Sequence, residues 1–215
     1  MSTQLKANAL TTLERVKENL GISSSVSELD SILTSFINEA SDFVHGYIGR
    51  NLAFTEEHVE IVGGSSSNYL QLRNRPIVTI HSIKRGEEEI KDYLEDPNDF
   101  KAGVVYRDNT WPMSRYTTGL TQDVIGRRRN YTVTYSYGYV LPKDAEEENP
   151  RTLPYDIESV VLSLVHKKHL ENQRDSYGLK ELRQGRLMYK FNDSDLSSSE
   201  LRTLKRYKNL VVGEW

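Results

Sequence analysis

The chain has 215 residues, 37% of them hydrophobic and 9% aromatic, with 28 Lys and Arg against 31 Asp and Glu for a net charge of −3, and no cysteine. That aromatic content, 13 tyrosines included, excludes an intrinsically disordered chain, and the missing thiol excludes disulfides, zinc ribbons, iron–sulfur clusters and a cysteine nucleophile. Residues 1–30 hold no apolar leader, and the longest apolar run, Val160–Val165 interrupted by Ser163, falls far short of the ~20 residues of a membrane span, so the expectation is a soluble chain made in a cytoplasm.

Asn8 or Thr11 is placed to cap a first helix that carries Leu10, Leu13, Val16 and Leu20, and Gly21 supplies its left-handed stop. After a Ser-rich loop, Ser27 and Asp30 have the spacing of a capping box. The second helix has the strongest period in the chain: Leu29, Ile32, Leu33, Phe36, Ile37, Ala40, Phe43, Val44, Tyr47 and Ile48 keep to one side.

From Thr55 to Tyr139 the period becomes two. Strands are predicted around Val59 and Ile61, at Tyr69–Leu72, at Ile77–Ile83, at Glu89–Tyr93 behind an Arg85-Gly86 tip, and from Phe100 to Tyr106. Tyr131–Tyr137 is the clearest strand. Its Tyr131, Val133, Tyr135 and Tyr137 read as an inner face, with Thr132, Thr134 and Ser136 on the other. Asp108–Asn130 between them has no period.

Lys143–Pro150 is an acidic linker, and Pro154 suits the first turn of a third helix with Ile157, Val160, Val161, Leu164 and Val165 as its buried stripe. Tyr177–Phe191 is ambiguous: Leu179, Leu182 and Leu187 fit a helix, while Arg186–Phe191 fits a strand. Ser197 and Glu200 form a second capping-box pattern, before a last helix whose Leu201, Leu204, Tyr207, Leu210 and Val211 alternate with Arg202, Lys205, Arg206 and Lys208. The expected fold is α+β, a bundle of about four helices with an inserted, mainly antiparallel sheet. Its parts are helices over 1–54, the β-rich insertion over 55–142, a linker over 143–152 and C-terminal helices over 153–215.

Chemistry-bearing motifs are few. His166 and His169 stand one helical turn apart with two lysines between them, and no HExxH or cysteine supports a metal. Glu39, Asp42 and His45 lie beside the apolar stripe of the second helix, where a solvated edge or a subunit contact is the default. No GxSxG, GxxxxGK[ST] or GxGxxG occurs, so neither an enzyme nor a cofactor is implied. Arg127, Arg128 and Arg129 form the one dense basic cluster, open to DNA phosphates or to inter-subunit ion pairs.

Charge is divided along the chain. Residues 1–150 carry 16 basic against 22 acidic side chains, six negative charges net, whereas 151–215 carry 12 against 9, three positive. The apolar side of the last helix either packs against the third helix or, the reading adopted here, fits a groove in another chain, with Leu201, Leu204, Arg206, Tyr207, Leu210, Val211 and Trp215 as the docking set. On that reading, truncation after Asp195 leaves a folded protein that has lost its partner.

The order of Asn19-Leu20-Gly21, Phe36-Ile37-Asn38-Glu39-Ala40, Tyr47-Ile48-Gly49-Arg50, the strand YTVTYSYGYVLP over 131–142, Leu153-Pro154-Tyr155-Asp156-Ile157-Glu158 and Leu204-Lys205-Arg206-Tyr207 resembles the head–tail connector (adaptor) proteins of long-tailed bacteriophages and prophages. The resemblance implies a non-enzymatic virion protein at the head–tail interface. It implies a homo-oligomeric ring, usually of twelve, whose C-terminal segment docks on the portal protein. A stopper or tail-completion protein is received on the opposite face, and DNA passes through the channel without specific binding. A closed ring needs one patch to match a different patch on the next copy. The alternatives are a stopper or tail-completion protein of the same particle, or a nucleic-acid-binding module built on Arg127–Arg129 and the tyrosine strand.

Overall fold

A computed structural model describes residues 4–112, 131–173, 181–184, 187–190 and 196–208. The fold is α+β, and the chain divides into two compact units, one of residues 1–50 with 140–215 and one of residues 51–139.

In the helical unit, α1 (Leu13–Leu20) is capped by Thr12, whose hydroxyl accepts from the Arg15 amide at 3.2 Å, and closed by Gly21 at φ +68°. The cap is therefore one residue beyond Thr11. Thr11 is buried, and its hydroxyl donates to Glu158 at 2.9 Å. α2 (Asp30–Ile48) begins without the expected capping box. Asp30 instead pairs at 2.5 Å with Lys17, a buried lysine whose ammonium also donates to the Val26 carbonyl at 2.7 Å. The serine-rich loop is thus folded around one ammonium group, which takes the carboxylate that a box needs at the helix start.

Leu33, Phe36, Ile37, Ala40, Val44 and Ile48 of α2 are buried, as are Ile157, Val160, Val161, Leu164 and Val165 of α4 (Tyr155–Gln173), and the two helices pack together. Each large apolar side chain so buried contributes about 1.5–3 kcal/mol. Glu158, 2% exposed, is held in this interior by Thr11 and by the Arg151 guanidinium at 2.5 Å, as a buried charge requires. Glu181–Gln184 and Leu187–Lys190 pair as antiparallel strands, so the strand reading of Arg186–Phe191 holds at Leu187–Lys190, and Leu182, which fitted a helix, lies in a strand as well.

The sheet unit contains β1 (Thr55–Val62), β2 (Tyr69–Gln71), β3 (Ile77–Arg85), β4 (Glu88–Glu89), α3 (Pro97–Ala102), β5 (Val104–Tyr106) and β6 (Tyr131–Tyr137). An antiparallel sheet runs in the order β1-β6-β3-β4, and β2 pairs with β5 separately. As expected, Tyr131, Val133, Tyr135 and Tyr137 face inward, into a core with Ile77, Ile80, Ile83, Leu70, Val105 and Trp111. Two expectations fail. The strand predicted from Phe100 starts only at Val104, because Asp96 caps the Asn98 amide at 2.7 Å, Pro97 occupies the first helical turn, and Gly103 at φ +79° ends the helix. The strand predicted over Glu89–Tyr93 is reduced to Glu88–Glu89.

This unit begins and ends in contact with itself. The Phe54 amide donates to the Tyr139 carbonyl at 2.9 Å and the Tyr139 amide to the Leu52 carbonyl at 2.8 Å. Gly138 sits between them at φ +100°, where a Cβ would lie 2.4 Å from the Ala53 carbonyl oxygen. Only glycine fits there.

Candidate functional site

The last described helix, α5 (Ser198–Tyr207), begins with the capping box that its sequence predicts. Ser197 Oγ accepts from the Glu200 amide at 3.3 Å, and Glu200 Oε2 accepts from the Ser197 amide at 2.5 Å. The same carboxylate accepts from the Ser163 hydroxyl at 2.5 Å and the Lys167 ammonium at 2.8 Å, both on α4. Burial pushes the Glu200 carboxyl up, but the bonds from Lys167, Ser163 and Ser197 outweigh it and bring it down to about 2.

At the other end of the helix, both oxygens of Asp156 accept from the Tyr207 hydroxyl, at 2.9 and 3.0 Å, and one of them from Arg206 Nη2 at 2.9 Å. Arg50 Nη1 donates to the Tyr207 carbonyl at 2.8 Å, a cation at a helix C-terminus. Leu204 is fully buried, while Leu201 and Tyr207 are half-buried.

These contacts take Leu204 and Tyr207 of the expected docking set into the subunit itself. Leu204 is sealed within its own subunit, and Tyr207 is bonded to α4 of the same chain. The physical reason is the polar pinning at both ends, which lays the stripe against α2 and α4. Leu210, Val211 and Trp215 lie outside the described residues, as do Arg127, Arg128 and Arg129.

What α5 presents outward is basic: Arg202, Lys205, Arg206 and Lys208 are all exposed. At the start of α4, where Asp156 meets Arg206, Tyr155 is 71% exposed, the largest value among the exposed large hydrophobic side chains described, and the Arg151 guanidinium lies 3.9 Å from its ring centroid. This Tyr155 corner escaped the sequence reading. The signal for it was present, since Tyr155 falls off the stripe that begins at Ile157, but a tyrosine off a stripe is too common to single out.

The other candidates resolve into structural pairs. Glu39 is bonded to Lys168 and Asp42 to Lys6, and the Lys6 hydrogen bond holds the Asp42 carboxyl below its usual range. His45 is buried, with Nε2 2.9 Å from the Asn8 carbonyl. His169 is buried against Gln173, and burial, then His166, lowers its pKa. Among the described residues no group of three His, Asp or Glu is placed to hold a metal, and no helix is long and apolar enough to cross a membrane. The tyrosine row of β6 is core, which removes it as a platform for stacking bases.

The family model described as head completion protein matches residues 9–178. Among solved structures, the chain is similar to one in the neck of a native gene transfer agent particle computed with C12 symmetry, with TM-score 0.50 and 13% identity over 99% of this chain and 96% of that one. It is also similar to a chain of the virion of the native gene transfer agent particle, with TM-score 0.52 and 12% identity over 100% and 97%. No curated protein matches the sequence.

Proposed function

The chain belongs to the head completion protein family, and from that premise we propose that it forms a homo-oligomeric ring in the neck of a phage-like particle, beneath the portal protein, as a structural and not a catalytic component. The observation that carries this reading is the family match, which spans most of both folded units. The similarity in fold to a chain of a gene transfer agent neck computed with C12 symmetry and to a chain of that agent's virion agrees with it.

The segment after α5 is the portal-docking element. Leu204 is buried, Leu201 is half-buried, and Arg206 and Tyr207 are both bonded to Asp156 within the subunit, so the docking set contracts to Leu210, Val211 and Trp215. A stopper or tail-completion protein binds the opposite face, and DNA passes through the ring. The acidic balance of residues 1–150 suits a channel wall that repels phosphates.

The test uses heads purified without this protein. Adding the full chain is expected to place ring density beneath the portal in negative-stain images and to make the heads competent for tails. Truncation after Lys208 is expected to abolish that density. Heads that bind no chain, or bind the truncated chain equally, would count against the reading.

A further inference from the structure

The sheet unit carries an exposed apolar row that its own core leaves uncovered. Tyr69 of β2 and Tyr106 of β5 are register partners with ring centroids 5.1 Å apart. The Leu94 amide donates to the Tyr106 carbonyl at 2.8 Å, which adds Leu94 as a third strand position beside them. Tyr69 is 52% exposed, Leu94 53%, and Tyr106 is half-buried.

The rim of the row is acidic. Glu95 and Asp108 are exposed, and burial, then the charge of Asp108, raises the pKa of the Tyr106 hydroxyl. The nearest cation in sequence, Arg107, is turned away from this rim. Its side chain is 13% exposed, and the guanidinium pairs with Asp92 at 3.0 Å and lies 4.9 Å from the Trp111 ring centroid.

The helical unit shows the opposite composition. Tyr155 stands exposed, its neighbour Asp156 accepts from the exposed Arg206 of α5 at 2.9 Å, and Arg202 and Lys205, one turn apart on the same helix, are exposed as well. Each patch has an apolar or aromatic centre and a charged rim, the usual anatomy of a protein interface. Neither patch matches itself, because like charges brought together in an interface are strongly unfavourable. Each matches the other, and a patch that fits only a different patch on an identical subunit is a head-to-tail contact, the kind that closes into rings.

We propose that the Tyr69–Tyr106–Leu94 row of one copy receives the Tyr155–Arg202–Lys205 corner of the next copy, and that this contact joins neighbours in the ring. The inference rests on the neck-ring reading and names the subunit contact within it.

The test reverses charges on one patch at a time, with the full chain loaded onto heads that lack it. Arg202→Glu with Lys205→Glu, and separately Glu95→Lys with Asp108→Lys, are each expected to lower ring loading at least about tenfold. All four substitutions in one chain restore it, and so does an equimolar mixture of the two double variants, because the charges then match in alternation. Restoration also shows that the substituted chains fold. Two results overturn the assignment: double variants that load like the unmodified chain, or four-fold and mixed chains that fail to recover. An unmodified chain that does not load at all overturns the neck-ring reading itself, which keeps the two failures distinct.

Discussion

Leu204 and Glu200 fix α5 in different ways, and each carries its own prediction. Leu204 is fully buried, so Leu204→Ala is expected to destabilise the fold by about 2–5 kcal/mol, read as a lower urea midpoint at unchanged slope. A side chain held for a partner would leave that midpoint unmoved. Glu200 titrates at about 2 in the folded chain against 4.5 in its reference state. Its folded pKa is depressed, so its contribution is complete above about pH 4.5 and fades as pH falls toward 2. That contribution is about 1–3 kcal/mol, discounted for the partly exposed Lys167. Glu200→Gln is expected to flatten the fall in stability over that window, measured by urea unfolding at a series of pH values. Gly138 is the third sensitive residue. Its φ of +100° and the Ala53 carbonyl 2.4 Å from any added Cβ lead Gly138→Ala to cost more than about 1 kcal/mol, checked by thermal unfolding.

At the scale of elements, helices and strands with an unbroken period were legible. α2 and α4 declare themselves by repeated apolar positions, and β6 by strict alternation, because a solvent-facing position every two or nearly four residues reports geometry directly. The capping box of α5 was legible for the same reason, since its bonds are local. α3 was missed although Asp96-Pro97 and Gly103 mark both ends, because Phe100 to Tyr106 also reads as an apolar strand. The capping-box pattern before α2 was present and unused, since Lys17, thirteen positions earlier, claims Asp30. What covers the stripe of α5 was the least legible matter. An amphipathic helix has one pattern whether its apolar side meets its own bundle or another chain, and Asp156, Arg50 and Ser163, which decide it here, are distant in sequence.

For the whole molecule, the packing of α5 separates truncation after Asp195 from truncation after Lys208. Ending the chain after Lys208 removes only the segment assigned to the portal and is expected to leave the unfolding midpoint near that of the full chain. Ending it after Asp195 also removes Leu196, Leu204 and the Glu200 bonds, and is expected to lower that midpoint by several degrees. The hydrogen bonds between Leu52–Phe54 and Tyr139 bring the start and finish of the sheet unit to one place. A cassette that leaves and returns at a single seam asks little of its host. Joining residue 50 to residue 140 through a short glycine linker should give a helical remnant that folds without it, detectable by circular dichroism.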